Sequence, residues 1–222
     1  MKITKLLNFF LLFAVLTVFV LSGCGKSEKE AKITSGEKPS DVKGNKTLVV
    51  DVNESIVKWV GRKVTGQHDG TVKLLNGEIL MDSDKPVGGK FDIDMNSIVV
   101  LDITDPETNG KLLAHLKSDD FFSVEKNPVS KFEITSIENL SDATVPEMNY
   151  NIKGNLTIKG ITKGIIFPAH IKYENGKLTA LADFDIDRTE WDIKYGSGKF
   201  FQNLGDKMIN DNFTLKLNIT AK

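Results

Sequence analysis

Cysteine is nearly missing from this 222-residue chain, and Cys24 is the only one. No internal disulfide can form, and neither a cysteine metal cluster nor a cysteine-pair redox motif is available. Histidine is almost as scarce. His68, His115 and His170 lie far apart, and no two have the close spacing of a zinc pair on one element. No serine stands in a Gly-x-Ser-x-Gly elbow. Asp82-Ser83-Asp84 starts like a calcium loop, but Ile93 occupies the twelfth position, where the acid should be. Asp183, Asp185 and Asp187 alternate along one strand and read as a solvated face. Charge of one sign is lacking as well. Twenty-nine Lys and Arg against 30 Asp and Glu leave no basic footprint for nucleic acid. Neither a catalytic constellation nor a metal or cofactor site is expected.

The hydrophobic run that does occur is at the start. Lys2 and Lys5 precede Phe9 to Leu21, which is broken only by Thr17, and small residues follow. Charged region, apolar region and small-residue site are the order of a secretory signal. The run falls short of the ~20 residues that span a bilayer. Leu21-Ser22-Gly23-Cys24 resembles the lipobox of bacterial lipoproteins. The resemblance implies removal of residues 1–23 and a diacylglycerol on the Cys24 sulfur, and two or three acyl chains anchor stably where one does not. The expected location is the bacterial cell envelope, with the protein tethered to a membrane at its periplasmic face or the cell surface. The mature chain would hold 199 residues, and losing Lys2 and Lys5 leaves 27 basic against 30 acidic groups.

Residues 24–46 read as a lipidated cysteine and a linker. Beyond Cys24, six lysines and four acids alternate, no aromatic occurs, and Ile33 and Val42 are the only larger aliphatics. Such a segment cannot bury a face and is expected to be disordered. As a flexible coil it would stand the domain off the membrane by on the order of 25 Å.

From Thr47 to Lys222 the period is two. Phe91, Ile93 and Met95 alternate with polar residues, as do Phe132 and Ile134, then Ala182, Phe184 and Ile186, then Phe213, Leu215, Leu217 and Ile219. Each is a strand with one dry face. Turns are expected at Asn76-Gly77, Gly88-Gly89, Lys159-Gly160 and Asn175-Gly176. Leu112, Leu113 and Leu116 give helical spacing within 109–117, and 200–208 could add a turn or two of helix. One-sided strands with short turns imply antiparallel sheet, and closure removes its edges. The predicted fold is all-β, an up-and-down barrel of about eight strands with one or two short capping helices.

Three blocks carry a family resemblance: His115 to Phe122 with Asn127-Pro128 and Phe132; Gly154 to Gly160 with Thr162-Lys163 and Phe167-Pro168; and Phe184 to Arg188 with Trp191, Tyr195 and Asp211 to Leu217. In this order they resemble the YceI family across 47–222. The opening stretch from Ser55 to Gly70 is more polar than the family pattern. The resemblance implies a lipocalin-like barrel with a deep apolar tunnel for a polyisoprenoid, quinone or other long-chain lipid. Eight strands enclose room for side chains or for one ligand. Taken singly, Trp59, Phe91, Phe132 and Phe184 read as ordinary core; as a set they make an apolar lining. Phe121, Phe167 and Trp191 join that expected ligand-binding set. His115, which the resemblance carries, is the histidine best placed to touch a headgroup. Arg188 reads either as a buried ion pair or as a headgroup ligand. The implied function is a membrane-tethered carrier, with a filled structural barrel and an enzyme of isoprenoid lipids as rivals. A homodimer is compatible with all three.

Overall fold

Alternating apolar residues build strands wherever one face can turn inward, and their meander closes on itself. The computed structural model describes residues 29–38, 43–140 and 147–222. Cys24 and the apolar run before it lie outside the described residues. The strands are β1 (Lys32–Ser35), β2 (Lys46–Val49), β3 (Ile56–Lys63), β4 (Gly66–Asp82), β5 (Lys85–Val100), β6 (Val129–Asn139), β7 (Tyr150–Ile158), β8 (Ile161–Glu174), β9 (Lys177–Asp187) and β10 (Asn212–Ala221). From β3 to β10 each strand pairs antiparallel with the next, and β10 pairs back onto β3. The result is a closed eight-stranded up-and-down barrel, as expected. β2 prolongs the position of β3: it pairs with β4 from Glu78 to Met81, and Val49 exchanges hydrogen bonds with Lys222 beyond the end of β10.

Residues 29–38, inside the segment 24–46 read as a linker without structure, depart from that reading. β8 and β9 pair only between His170–Glu174 and Lys177–Leu181 and then separate. The N-terminal arm fills the opening. β1 pairs with Lys163–Ile166 of β8, while Lys29 and Ala31 hydrogen-bond both backbone groups of Asp185 on β9. Ala31 is buried, and Lys29 Nζ pairs with Asp183 at 3.0 Å. Backbone groups left unpaired by two diverging strands are what order this polar stretch.

Two turn assignments hold and two do not. Lys159-Gly160 and Asn175-Gly176 are two-residue hairpin turns in which every residue has positive φ, as tight right-twisted hairpins require. Asn76-Gly77 and Gly88-Gly89 instead lie inside β4 and β5, and the chain reverses at Ser83-Asp84, with Ser83 at φ 56°. Gly77 admits a neighbour: a Cβ there would come within 2.8 Å of Val50 and 2.9 Å of Phe91.

Among the described residues one α-helix forms, α1 (Pro106–Lys117), starting three residues earlier than the leucine spacing alone indicates. Asp105 caps it by accepting from Thr108 N at 2.8 Å, and Pro106 opens the first turn. Leu116 is buried under it, beside Phe121 and Val124 of the following connection. The stretch 200–208 contributes only a 3-10 turn at Gly205–Lys207, and a second such turn, at Arg188–Trp191, follows β9. These elements gather at the barrel end where β9 finishes.

Gly164 tests the arm. A Cβ there would come within 2.3 Å of Thr34 Oγ1 and 2.7 Å of Ser35 O. Gly164→Val is expected to lever β1 off the barrel, costing roughly 1–3 kcal/mol in urea unfolding, with new proteolytic cleavage between 29 and 38.

Candidate ligand-binding cavity

The inner faces of the eight strands do not fill the barrel. A cavity of about 240 Å³ runs through it, lined almost wholly by apolar side chains. An apolar cavity of about 150 Å³ already stays dry and admits a benzene ring. Four phenylalanines from four strands form one continuous wall. Phe91 of β5 stacks on Phe132 of β6 at 6.3 Å, Phe132 meets Phe167 of β8 at 5.8 Å, and Phe167 stacks on Phe184 of β9 at 4.1 Å. Phe132 reaches across β7 because Gly154 lies beneath it; a Cβ at 154 would be 2.5 Å from the ring. Phe167 and Phe184 are close-packed and buried, whereas Phe91 and Phe132 are only partly so.

Trp59 uses the same device on the opposite wall. Its indole lies over Gly70, where a Cβ would come within 2.6 Å of the ring. Its Nε1 is buried and has no hydrogen-bond partner among the described residues. An unpaired buried donor costs roughly 1–3 kcal/mol. The other polar side chains at the lining are Ser130, Asn210 and Arg188.

Arg188 is already engaged. It is 4% exposed. Its Nε donates to Asn210 O at 3.0 Å, one Nη to Ile193 O at 2.7 Å and the other to Ile209 O at 3.2 Å. Asp211 lies 3.6 Å away. Burial lowers the guanidinium pKa, and the carboxylates of Asp211 and Asp187 oppose that shift. Arg188 thus clasps both ends of the segment between Ile193 and Ile209. Asp187, just before it, is pushed up by burial, but Lys199 and Thr189 outweigh this and hold its carboxyl below the usual aspartate range.

Of the residues singled out from sequence, Trp59, Phe91, Phe121, Phe132, Phe167, Phe184 and Arg188 border the cavity, and His115 and Trp191 do not. Trp191 is 0% exposed, and its Nε1 donates to Leu156 O at 3.0 Å, bracing the wall from behind. His115 sits between Phe121 and Tyr195, with ring centroids 4.9 and 4.5 Å away, and bonds Asp120 through Nε2 at 3.0 Å. Ile193 and Ile209 also line the cavity. They lie in the irregular stretch after β9, where no periodicity marks an inward residue; Ile209 stands between Met208, which is exposed, and Asn210. On the outer wall Asp183 pairs with Lys29 and Lys216, Asp185 accepts from Thr214, and Asp187 accepts from Thr189 and Lys199.

The fold is a closed eight-stranded antiparallel barrel enclosing an apolar cavity. Residues 48–221 match the YceI-like domain, and the chain belongs to that family. A UPF0312 protein of Pseudomonas putida is 31% identical over 100 residues, 45% of this chain and 47% of its own length. One from Azotobacter vinelandii is 26% identical over 132 residues, covering 54% and 64% of the two chains. The chain therefore spans about half to two thirds of the curated relatives it matches. Among solved structures, Burkholderia cenocepacia BcnA superposes with a TM-score of 0.62 at 20% identity, over 78% of this chain and 99% of that one. A polyisoprenoid binding domain from Saccharophagus degradans superposes at 0.58 and 12% identity, over 79% and 97%. Both likenesses establish the fold.

Arg188→Met is expected to cost about 3 kcal/mol or more, because three carbonyls lose their donor. Arg188→Lys should recover little, since an ammonium cannot serve three divergent acceptors. Denaturant unfolding measures both; a near-neutral Arg188→Met would show that the clasp does not hold this end together.

Proposed function

We propose that this protein binds a long-chain apolar ligand in the barrel interior and carries or holds it at a membrane, tethered through acylated Cys24. The observation that carries the reading is an apolar cavity kept open inside an otherwise well-packed barrel. A filled structural barrel has no reason to keep such a space, since empty volume costs stability. Chemistry is poorly served by this lining. Arg188 spends its donors on carbonyls, and the histidine ring nitrogens given a partner go to Asp102, Asp120 and the Glu147 carbonyl, outside the cavity. The structural likeness to a polyisoprenoid binding domain and the family membership are consistent with this reading.

The cavity is below the ~300–1,000 Å³ of a drug-sized pocket. It suits one narrow tail, prenyl or acyl, better than a fused ring system. Trp59 adds a chemical preference. Its unpaired indole N–H is satisfied by a ligand bearing an oxygen acceptor, such as a quinone carbonyl, a prenyl alcohol or an ester.

Three measurements test this reading. Phe132→Trp should occupy cavity volume and abolish binding of a fluorescent prenyl or acyl probe, while costing less than about 1.5 kcal/mol. Destabilisation together with no binding by the parent would identify a filled core. Trp59→Phe should weaken a prenyl alcohol roughly three- to tenfold, the worth of one neutral hydrogen bond, and leave an all-hydrocarbon isoprenoid unchanged. Metabolic labelling with palmitate should mark the parent chain and not Cys24→Ser; equal labelling of both would remove the tether.

A further inference from the structure

We infer that the barrel end carrying residues 194–208 is a membrane-contact face, seated on lipid headgroups with Phe200 and Phe201 inserted. The inference rests on the proposed acylation of Cys24.

The first observation is a group of exposed apolar side chains at this end of the barrel. Phe200 and Phe201 are 48% and 49% exposed, with Tyr195, Met208 and Val64 also exposed. The two phenylalanines are held in place. Their backbone N–H groups both donate to Ser197 O, at 3.2 and 3.0 Å, and Ser197 is fully buried. Ile209 N donates to Gly196 O at 2.8 Å, and Val64 N to Met208 O at 3.3 Å, so the tips of two connections are pinned side by side. Aromatic side chains fixed at one end of a barrel, with lysines close by in the chain, suit the interfacial layer of a bilayer, where apolar rings bury and ammonium groups reach phosphates. Lys207 supplies such an ammonium group; Lys194, whose Nζ lies 5.1 Å from the Phe200 ring centroid, and Lys199 flank the rings but pair with Asp192 and with Asp187 and Asp211.

The second observation is where the described chain begins. Lys29 is fixed beside Asp185, two residues from the end of β9, and Glu30 shares a surface depression with Gly198, Lys199 and Met208. Cys24 is five residues upstream, a reach of at most about 17 Å. The opposite end of β9, at Lys177, is eight residues from Asp185, about 26 Å along the strand. The arm runs parallel to β9, toward the aromatic end, so the chain upstream of Lys29 has to double back for Cys24 to lie level with that end; five residues are enough for this and do not reach the Ser83-Asp84 end. The arm that fills the β8–β9 opening shortens the tether from a long spacer to a few residues and keeps it from the Ser83-Asp84 end. Ile193 and Ile209, which bracket the aromatic segment, both line the cavity. Seating this end places membrane lipid next to the cavity wall.

The test uses the full acylated chain in vesicles of phosphatidylcholine and phosphatidylglycerol. Gln202→Cys, beside the aromatic pair, and Asp84→Cys, at the far turn, are each spin-labelled; Cys24, being acylated, leaves only the introduced thiol reactive. The expected result is a severalfold higher ratio of oxygen to aqueous nickel-complex accessibility at 202 than at 84, lost when Phe200→Ser and Phe201→Ser are added. Equal, water-like ratios at both sites on vesicle-bound protein would overturn the docking face and leave the tether standing. An unchanged ratio in the double serine variant would overturn the role of the phenylalanines. Spin–spin broadening between labels at 202 would assign the face to a second copy of the chain instead. A purified chain whose mass lacks acyl groups would overturn the tether and this inference together.

Discussion

The parting of β8 from β9 is the constraint on which the rest of this structure depends. A barrel's diameter grows with its strand number, and eight strands leave an interior that side chains can nearly fill. Here the two strands pair for only five residues of each and then diverge. The arm from Lys29 to Ser35 completes the wall at that level, bonding β8 on one side and Asp185 of β9 on the other. The end near Asp187 is therefore built from nine ribbons where the other end has eight. The extra circumference lies at the level of Phe184, Ile186 and Ile165, three of the most deeply buried side chains. Added width and an open apolar interior are two aspects of one departure from full pairing.

Emptiness in such an interior has to be maintained against collapse, and the aromatic wall does so by resting on glycines. Phe132 lies over Gly154 and Trp59 over Gly70. Each ring is laid flat along the sheet instead of projecting to the barrel axis, so large residues cover wall without occupying volume. Phe167 and Phe184 meet at 4.1 Å and behave as core. The loosely covered Phe91 and Phe132 border the free space. Core and lining are thus the same set of side chains, separated by how closely their neighbours approach. Sequence reading could name the set but could not divide it.

The strands were legible because a face buried on one side imposes a period of two, and nothing else in the chain competes with it. Glycine pairs were not uniformly legible. Asn175-Gly176 needs positive φ to turn a hairpin, while Gly77 makes room for Val50 and Phe91 inside a strand, and composition cannot separate a turn from a close approach. The arm was misread for a deeper reason. Its order comes from backbone groups satisfying an unpaired strand edge, and hydrogen bonds of that kind leave no hydrophobic pattern behind. The irregular 188–211 stretch hid Ile193 and Ile209 in the same way, since their inward placement is set by Arg188 and not by a repeat.

Arg188 connects these observations. A guanidinium so deeply buried is costly unless every donor is matched, and here its acceptors are the main-chain carbonyls of Ile193, Ile209 and Asn210, with Asp211 balancing its charge. The side chains of Ile193 and Ile209 face the cavity, and the chain between them presents Phe200 and Phe201 to the outside. One charged group therefore holds the inner wall and the outer rim in a single piece. A rigid planar fork suits this role because three divergent carbonyls need three directed donors. Any displacement of the exposed segment must be felt at the lining through residues on either side of it, since both ends close on the same side chain. The geometry couples the surface of this barrel end to the volume within it.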